Sequence, residues 1–196
     1  MDTLVMIGAG NIGRSFVGQI FSRAGYEVVF VDVSQDIVNA LNERGQYTVE
    51  IKDREPKEIV VENVRGIDGR DTRAVAKELA TCRVAATAVG PAALPYIYPN
   101  LAAGLVRRRE ADAGPLDVII CENMRNAAEA MYTGVADHLP DDFPVREMLG
   151  AVETSIGKMV PIMDEAIREE DPLLVYAEAY NTLICDANGF QNPVPD

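Results

Sequence analysis

The chain has 196 residues, 48% of them hydrophobic, which is enough for one full core and cramped for two independent domains. Its 18 basic against 31 acidic side chains give a formal net charge of −13, which argues against nonspecific binding to nucleic acid or to an anionic membrane. Three scattered cysteines (Cys82, Cys121, Cys185) and one histidine (His138) offer neither a disulfide framework nor a zinc ligand set, and the Met1-Asp2 opening lacks the basic segment of a secretory signal, so a reducing, cytoplasmic setting is expected.

The apolar run Leu4-Val5-Met6-Ile7 reads as a buried strand that leads into Gly8-Ala9-Gly10-Asn11-Ile12-Gly13 and then into a helix-like segment. A lone GxGxxG is weak evidence. Here strand, glycine turn, helix, second strand and the terminal carboxylate Asp32 fall within about 30 residues, which makes a βαβ unit with a dinucleotide fingerprint. Gly8 allows the tight turn, Gly10 leaves no side chain between backbone and pyrophosphate, and Gly13 lets the helix lie close to the strand. The helix starting near Asn11 and Ile12 turns free N–H groups and its positive dipole end toward phosphates. Asp32 lies about 20 residues beyond Gly13, where a carboxylate accepts hydrogen bonds from ribose hydroxyls and repels a 2′-phosphate. Val33, Ser34 and Gln35 follow it with no Arg or Lys to receive such a phosphate, so the sequence favours NAD over NADP.

Ser34 is a candidate N-cap for a helix through Arg44, with Ile37, Val38 and Leu41 on one face. Tyr47 to Ile51 and Ile59 to Val64 are β-rich runs flanking a charged connection and read as a hairpin-like excursion. Asp71 to Ala80 reads as a helix and Val84 to Val89 as a buried strand. Val84 to Leu105 carries no charge and is long enough to span a bilayer, but Pro91, Pro95 and Pro99 point instead to a strand followed by a crossover helix. That helix closes on Arg107-Arg108-Arg109, expected as a solvated end that suits the negative pole of the dipole. Val118 to Cys121 is a further buried strand ending at Glu122-Asn123, and Asn126 to His138 a helix. Ala151 to Glu153, Leu174 to Ala179 and Thr182 to Cys185 read as later strands, the last two as a candidate antiparallel pair. Ala187 to Asp196, with Gly189, Pro193 and Pro195, reads as a tail or linker.

These alternations predict an α/β fold, a doubly wound, mostly parallel Rossmann sheet with added antiparallel strands. Such sheets bind ligands beyond the carboxyl ends of their strands. One crevice is therefore expected to collect Gly8, Gly10, Asn11, Ile12 and Gly13, then Asp32 and Val33, then Ala88, Val89 and Gly90, and finally Glu122 and Asn123. The flat turn Ala88-Val89-Gly90 is placed near the nicotinamide half of the cofactor.

The motifs Ile7 to Arg14 (IGAGNIGR), Thr87 to Pro91 (TAVGP), Cys121 to Met124 (CENM), Val160-Pro161 and Asp171-Pro172-Leu173 with Glu178 occur in an order that resembles the long-chain mannitol dehydrogenases across nearly the whole chain. The resemblance implies a metal-independent dehydrogenase of two domains. An N-terminal domain, residues 1–186 here, would hold NAD. Residues 187–196 would lead toward a helical catalytic domain absent from this chain. It implies hydride transfer between nicotinamide and a polyol or polyol phosphate, with Asn123 helping to hold the developing alkoxide. Two departures stand out. No lysine is followed by the Asn and His spacing of the family's catalytic segment, and Gly157-Lys158 stands where the family has Asp-Arg. A stand-alone NAD-binding sensor or interaction module is the alternative, and an S-adenosylmethionine domain fits the glycine turn but not the later corners. The apolar strands from Leu173 to Cys185 would be covered either by the missing half or by a second copy in a homodimer.

Overall fold

The computed structural model describes residues 1–161 and 163–195. The chain runs β1 (Thr3–Ile7), a π-helical segment (Gly13–Gly18) continuing into α1 (Gln19–Arg23), β2 (Glu27–Asp32), α2 (Gln35–Arg44), β3 (Gln46–Ile51), β4 (Lys57–Glu62), β5 (Val64–Asp68) and α3 (Thr72–Thr81). It continues with β6 (Val84–Thr87), α4 (Leu94–Glu110), β7 (Leu116–Ile120), α5 (Ala127–Ala136), α6 (Val145–Met148), β8 (Leu149–Ser155), α7 (Glu165–Glu170), β9 (Val175–Ala177), β10 (Ile184–Cys185) and a 3-10 turn (Ala187–Gly189).

Among the described residues the main sheet has the order β10-β8-β7-β6-β1-β2-β5, parallel throughout except where β10 meets β8. Period-two alternation explains why it is covered on both sides. Leu4 and Met6 of β1 enter one core with Phe16, Phe30 and Tyr47, while Val5 and Ile7 enter a second with Leu79, Leu101 and Leu105. Strand order reverses between β1 and β6, so their carboxyl ends diverge and open the crevice expected of a doubly wound sheet.

Several boundaries differ from the sequence reading. The expected hairpin forms between β3 and β4, but the second run does not end the excursion: Asn63, at φ 57°, turns the chain directly into β5, which joins the main sheet beside β2. The last two strands do not pair with each other. β9 lies parallel to β3 in a small sheet of order β4-β3-β9, and β10 lies antiparallel to β8. Ser34 occupies the N-cap position of α2, yet its side chain makes no capping bond. The first helix is wound wider than α over Gly13–Gly18, where Gly18 sits against the Phe30 ring and the Tyr47 hydroxyl; a Cβ there would lie 2.6 and 2.8 Å from them.

The arginine run is not uniformly solvated. Arg108 is buried, and its five N–H groups reach the carbonyl oxygens of Gly114, Leu79, Cys82, Ala113 and Pro115 at 3.0–3.1 Å. Pro95 stands at the start of α4 and Pro99 lies inside it, and among the described residues no helix is long and apolar enough to cross a membrane. The closing segment is strapped to the amino edge of the sheet. The Asp117 carboxylate accepts from the backbone N–H groups of Gln191 (2.7 Å) and Asn192 (3.1 Å), and Arg83 donates to the Pro193 carbonyl at 2.7 Å. Asp196 lies outside the described residues.

Candidate functional site

The glycine turn divides its labour by residue. Gly8 has φ +102° and donates its N–H to the Val31 carbonyl at 2.8 Å; a Cβ there would meet the Ala88 carbonyl oxygen at 2.5 Å, across the point where strand order reverses. A Cβ on Gly13 would lie 2.0 Å from the Gly8 carbonyl oxygen, so only glycine lets the helix start this close beneath the turn. At Gly10 a Cβ would meet nothing within 4 Å. The open space lies in front of Gly10, where first-turn amides lack intrahelical partners and the helix dipole favours an anion. This arrangement fits a pyrophosphate.

A cavity of about 380 Å³ opens here. Of the expected residues Gly8, Gly10, Asp32, Val33, Ala88 and Val89 line it. Asn11, Ile12, Gly13, Gly90, Glu122 and Asn123 do not. Ile12 and Gly13 instead support the turn, with Ile12 packed against the core. The sequence reading missed Gly69, Ala93, Tyr96, Ile97 and Asn100, which with Ile7 and Val31 at the ends of β1 and β2 complete the wall. Tyr96, Ile97 and Asn100 lie on α4, the helix that follows TAVGP, so a helical projection from that turn was the available signal. Gly69 has its carbonyl held by Asn100 Nδ2 at 2.9 Å, and nothing local in the sequence announces that pairing.

Asp32 ends β2 with both carboxylate oxygens engaged. Oδ2 accepts from the Ala9 N–H at 2.7 Å and Oδ1 from the Ser34 N–H at 2.9 Å, so this one side chain fixes the glycine turn against the rim. A carboxylate oxygen has more than one lone pair, and ribose hydroxyls can still donate to it. Beside it the expectation of a cation-free rim fails in space. Arg70, on the loop after β5, donates from Nη2 to the Val33 carbonyl at 2.7 Å.

On the other flank Ala88 donates to the Ile7 carbonyl at 2.9 Å, and Gly90 adopts φ +86°. Glu122 is 4% exposed and holds this loop from beneath, accepting from Thr87 Oγ1 at 2.5 Å and the Val89 N–H at 2.9 Å. Burial pushes its carboxyl above the ordinary 4.5, opposed by those hydrogen bonds. Its carboxylate therefore shapes the Ala88–Gly90 loop from behind. Asn123, the next residue, is exposed at the corner after β7.

Lys158 is buried, and Nζ donates to the carbonyls of Glu178 (2.9 Å) and Tyr180 (2.5 Å) and to Asn181 Oδ1 (3.4 Å). Burial lowers its pKa below 10.5. With its donors committed to the 178–181 segment it ties that segment to the end of β8. Cys82 and Cys121 are buried and Cys185 is half-buried, all as free thiols. Among the described residues no cluster of His, Cys, Asp or Glu is arranged to hold a metal ion.

Comparison with known proteins matches residues 2–196 to the family model described as the mannitol dehydrogenase Rossmann domain. Mannitol-1-phosphate 5-dehydrogenase of Brevibacillus brevis is 40% identical over 193 residues, covering 97% of this chain and 49% of that protein. The enzyme of the same name from Streptococcus mutans is 36% identical over 197 residues, covering 98% and 50%. The chain thus spans about half the length of the curated relatives it matches. Among solved structures, Pseudomonas fluorescens mannitol 2-dehydrogenase in ternary complex with NAD and D-mannitol superposes with TM-score 0.75 at 13% identity, covering 95% of this chain and 49% of that one. A substrate-free D-sorbitol dehydrogenase gives 0.74 at 17% identity, covering 94% and 50%. At such identities these two likenesses speak to the fold.

Proposed function

The chain belongs to the mannitol dehydrogenase family through its Rossmann domain, and from that premise we propose that it is the NAD-binding half of an oxidoreductase acting on a polyol or polyol phosphate of the mannitol 1-phosphate type. The observation that carries the reading is the cavity at the strand-order reversal, open in front of Gly10 and bounded by Asp32.

The residues would act as follows. Gly8, Gly10, Asn11, Ile12 and Gly13 form the turn and helix start whose main-chain donors hold the diphosphate. Asp32 and Val33 bound the adenosine ribose. Ala88, Val89 and Gly90, held in place by Glu122, present a flat backbone to the nicotinamide half. NAD, when bound, supplies the hydride acceptor for a secondary alcohol. Asn123, at the corner after β7, is a donor for the oxygen that gains negative charge in the transition state, a preorganised contribution. The proton acceptor is expected in a second domain, since no lysine here has the spacing of the family's catalytic segment. Residues 1–186 form the cofactor unit and 187–196 the connection toward that domain. The cytoplasm suits the three free thiols.

A stand-alone sensor is less well supported, because the matched relatives are dehydrogenases about twice this length. The strands from Leu173 to Cys185 need less outside cover than their sequence suggests, because Leu173, Val175 and Ala177 enter this chain's own core and β9 pairs with β3; a homodimer there would have Tyr180 and Ile184 as its exposed apolar contacts. Titration calorimetry of the 196-residue chain with NADH is the test. Binding with a Kd in the micromolar range, and negligible mannitol 1-phosphate oxidation by the chain alone, is expected. Absence of binding at millimolar NADH would overturn the reading.

A further inference from the structure

Two features of the sequence disfavour a 2′-phosphate, the Asp32 charge and the lack of a cation among the residues that follow it. Folding offsets the second. β5 lies beside β2, with Asp68 paired to Asp32, so the loop that follows β5 arrives at the same rim from the far side of the sequence. Arg70 sits on that loop. Its backbone N–H donates to Asp68 Oδ1 at 3.0 Å and its Nη2 to the Val33 carbonyl at 2.7 Å. The neighbouring Gly69 lines the cavity, as does Val33.

The guanidinium is loosely held. Its side chain is 60% exposed, its only charged contact among the described residues is Asp68 Oδ2 at 3.5 Å, and the Val33 carbonyl is a neutral acceptor. The fork therefore retains donors facing solvent beside Asp32, and an exposed pair at that separation contributes little to holding it. A phosphate monoester is the group that such a planar fork binds best, through paired charge-assisted hydrogen bonds.

We propose that Arg70 is a second determinant of cofactor choice: a latent receptor for the 2′-phosphate of NADP, kept silent by the carboxylate of Asp32. While Asp32 is charged, a phosphate at the ribose meets repulsion from Asp32 before it gains the guanidinium. With that charge removed, the same rim becomes an anion site without any added residue. The charged groups at this strand end are Asp68, in contact with Arg70, and Asp32, paired with Asp68 on the neighbouring strand; Asp68 weakens the receptor without closing it.

This inference rests on the dinucleotide reading of the cavity, and the experiment separates the two. Kd values for NADH and NADPH are measured calorimetrically on the 196-residue chain, on Asp32→Ser and Asp32→Asn, and on each combined with Arg70→Ala, with thermal melts confirming folding. Expected is a gain of at least about tenfold in NADPH affinity in one or both Asp32 variants, lost again by about tenfold when Arg70 is removed, with the gain shrinking at high salt. NADPH affinity that rises equally with and without Arg70 overturns the proposal, as does the absence of any gain in both folded Asp32 variants. A wild-type chain that binds no NADH would instead defeat the dinucleotide reading itself.

Discussion

The two edges of the main sheet handle polar groups in opposite ways. At the amino edge Arg108 sends all five N–H groups to carbonyl oxygens, and the Asp117 carboxylate gathers Gln191 and Asn192, so the donors and acceptors close on one another. At the carboxyl edge Asp32 and Glu122 also collect loop amides, from Ala9, Ser34 and Val89, but they leave open space in front of Gly10. Buried polar networks stabilise only when satisfied. The amino edge is such a network and serves the fold. The carboxyl edge uses its carboxylates to brace two loops around an open cavity.

The comparison is most easily broken at Arg108. Replacing it with leucine leaves five carbonyls to find water or go unpaired, and a loss of at least about 3 kcal/mol in urea unfolding is expected, with NADH affinity of the folded protein unchanged. A small loss would mean that the amino edge is redundant. Gly13→Ala probes the opposite edge. Its Cβ would meet a main-chain oxygen, so about 1–3 kcal/mol of stability and most of the NADH affinity are expected to go together in melts and calorimetry. Asp32→Ala sharpens the contrast, because this residue touches both loop and ligand: NADH affinity is expected to fall about tenfold, about 1.4 kcal/mol, while the protein still folds.

The smallest effect concerns Glu122. Its folded-state pKa lies above the ordinary 4.5, so the folded protein holds this proton more tightly than the unfolded chain. The stabilisation from protonation is full below 4.5 and is lost as pH rises through the elevated folded-state value. Glu122→Gln is expected to flatten that part of the melting temperature profile. An unchanged profile would show that Glu122 does not titrate in this window.

The candidate site was legible wherever one short stretch of chain carries a whole physical role. Gly8, Gly10, Gly13 and Asp32 announce themselves because turn, close approach and strand end are local properties. The alternation of elements likewise gave the doubly wound sheet. What escaped depends on partners distant in sequence. β5 was hidden because a single left-handed residue, Asn63, separates it from β4, and the expected run stops at Val64, leaving Arg65 to Asp68 unassigned. Arg70 was missed because Val33 lies 37 residues away along the chain. Arg108 looked like its two neighbours, and only the fold shows that it alone points inward. Ser34 has the right identity and place for a cap, yet only its backbone engages, donating its N–H to Asp32 and accepting from the Val38 N–H.

Asn63 carries a mechanical consequence. With one residue between Glu62 and Val64, and its carbonyl tied to the Val28 N–H at 2.9 Å, the small sheet and the large one share a corner without slack. The ribbon and the rim thus lie on one continuous stretch of chain, with β5 running from the Asn63 corner to Gly69 and Arg70, so a residue inserted at that corner would shift the register of β5 against β2.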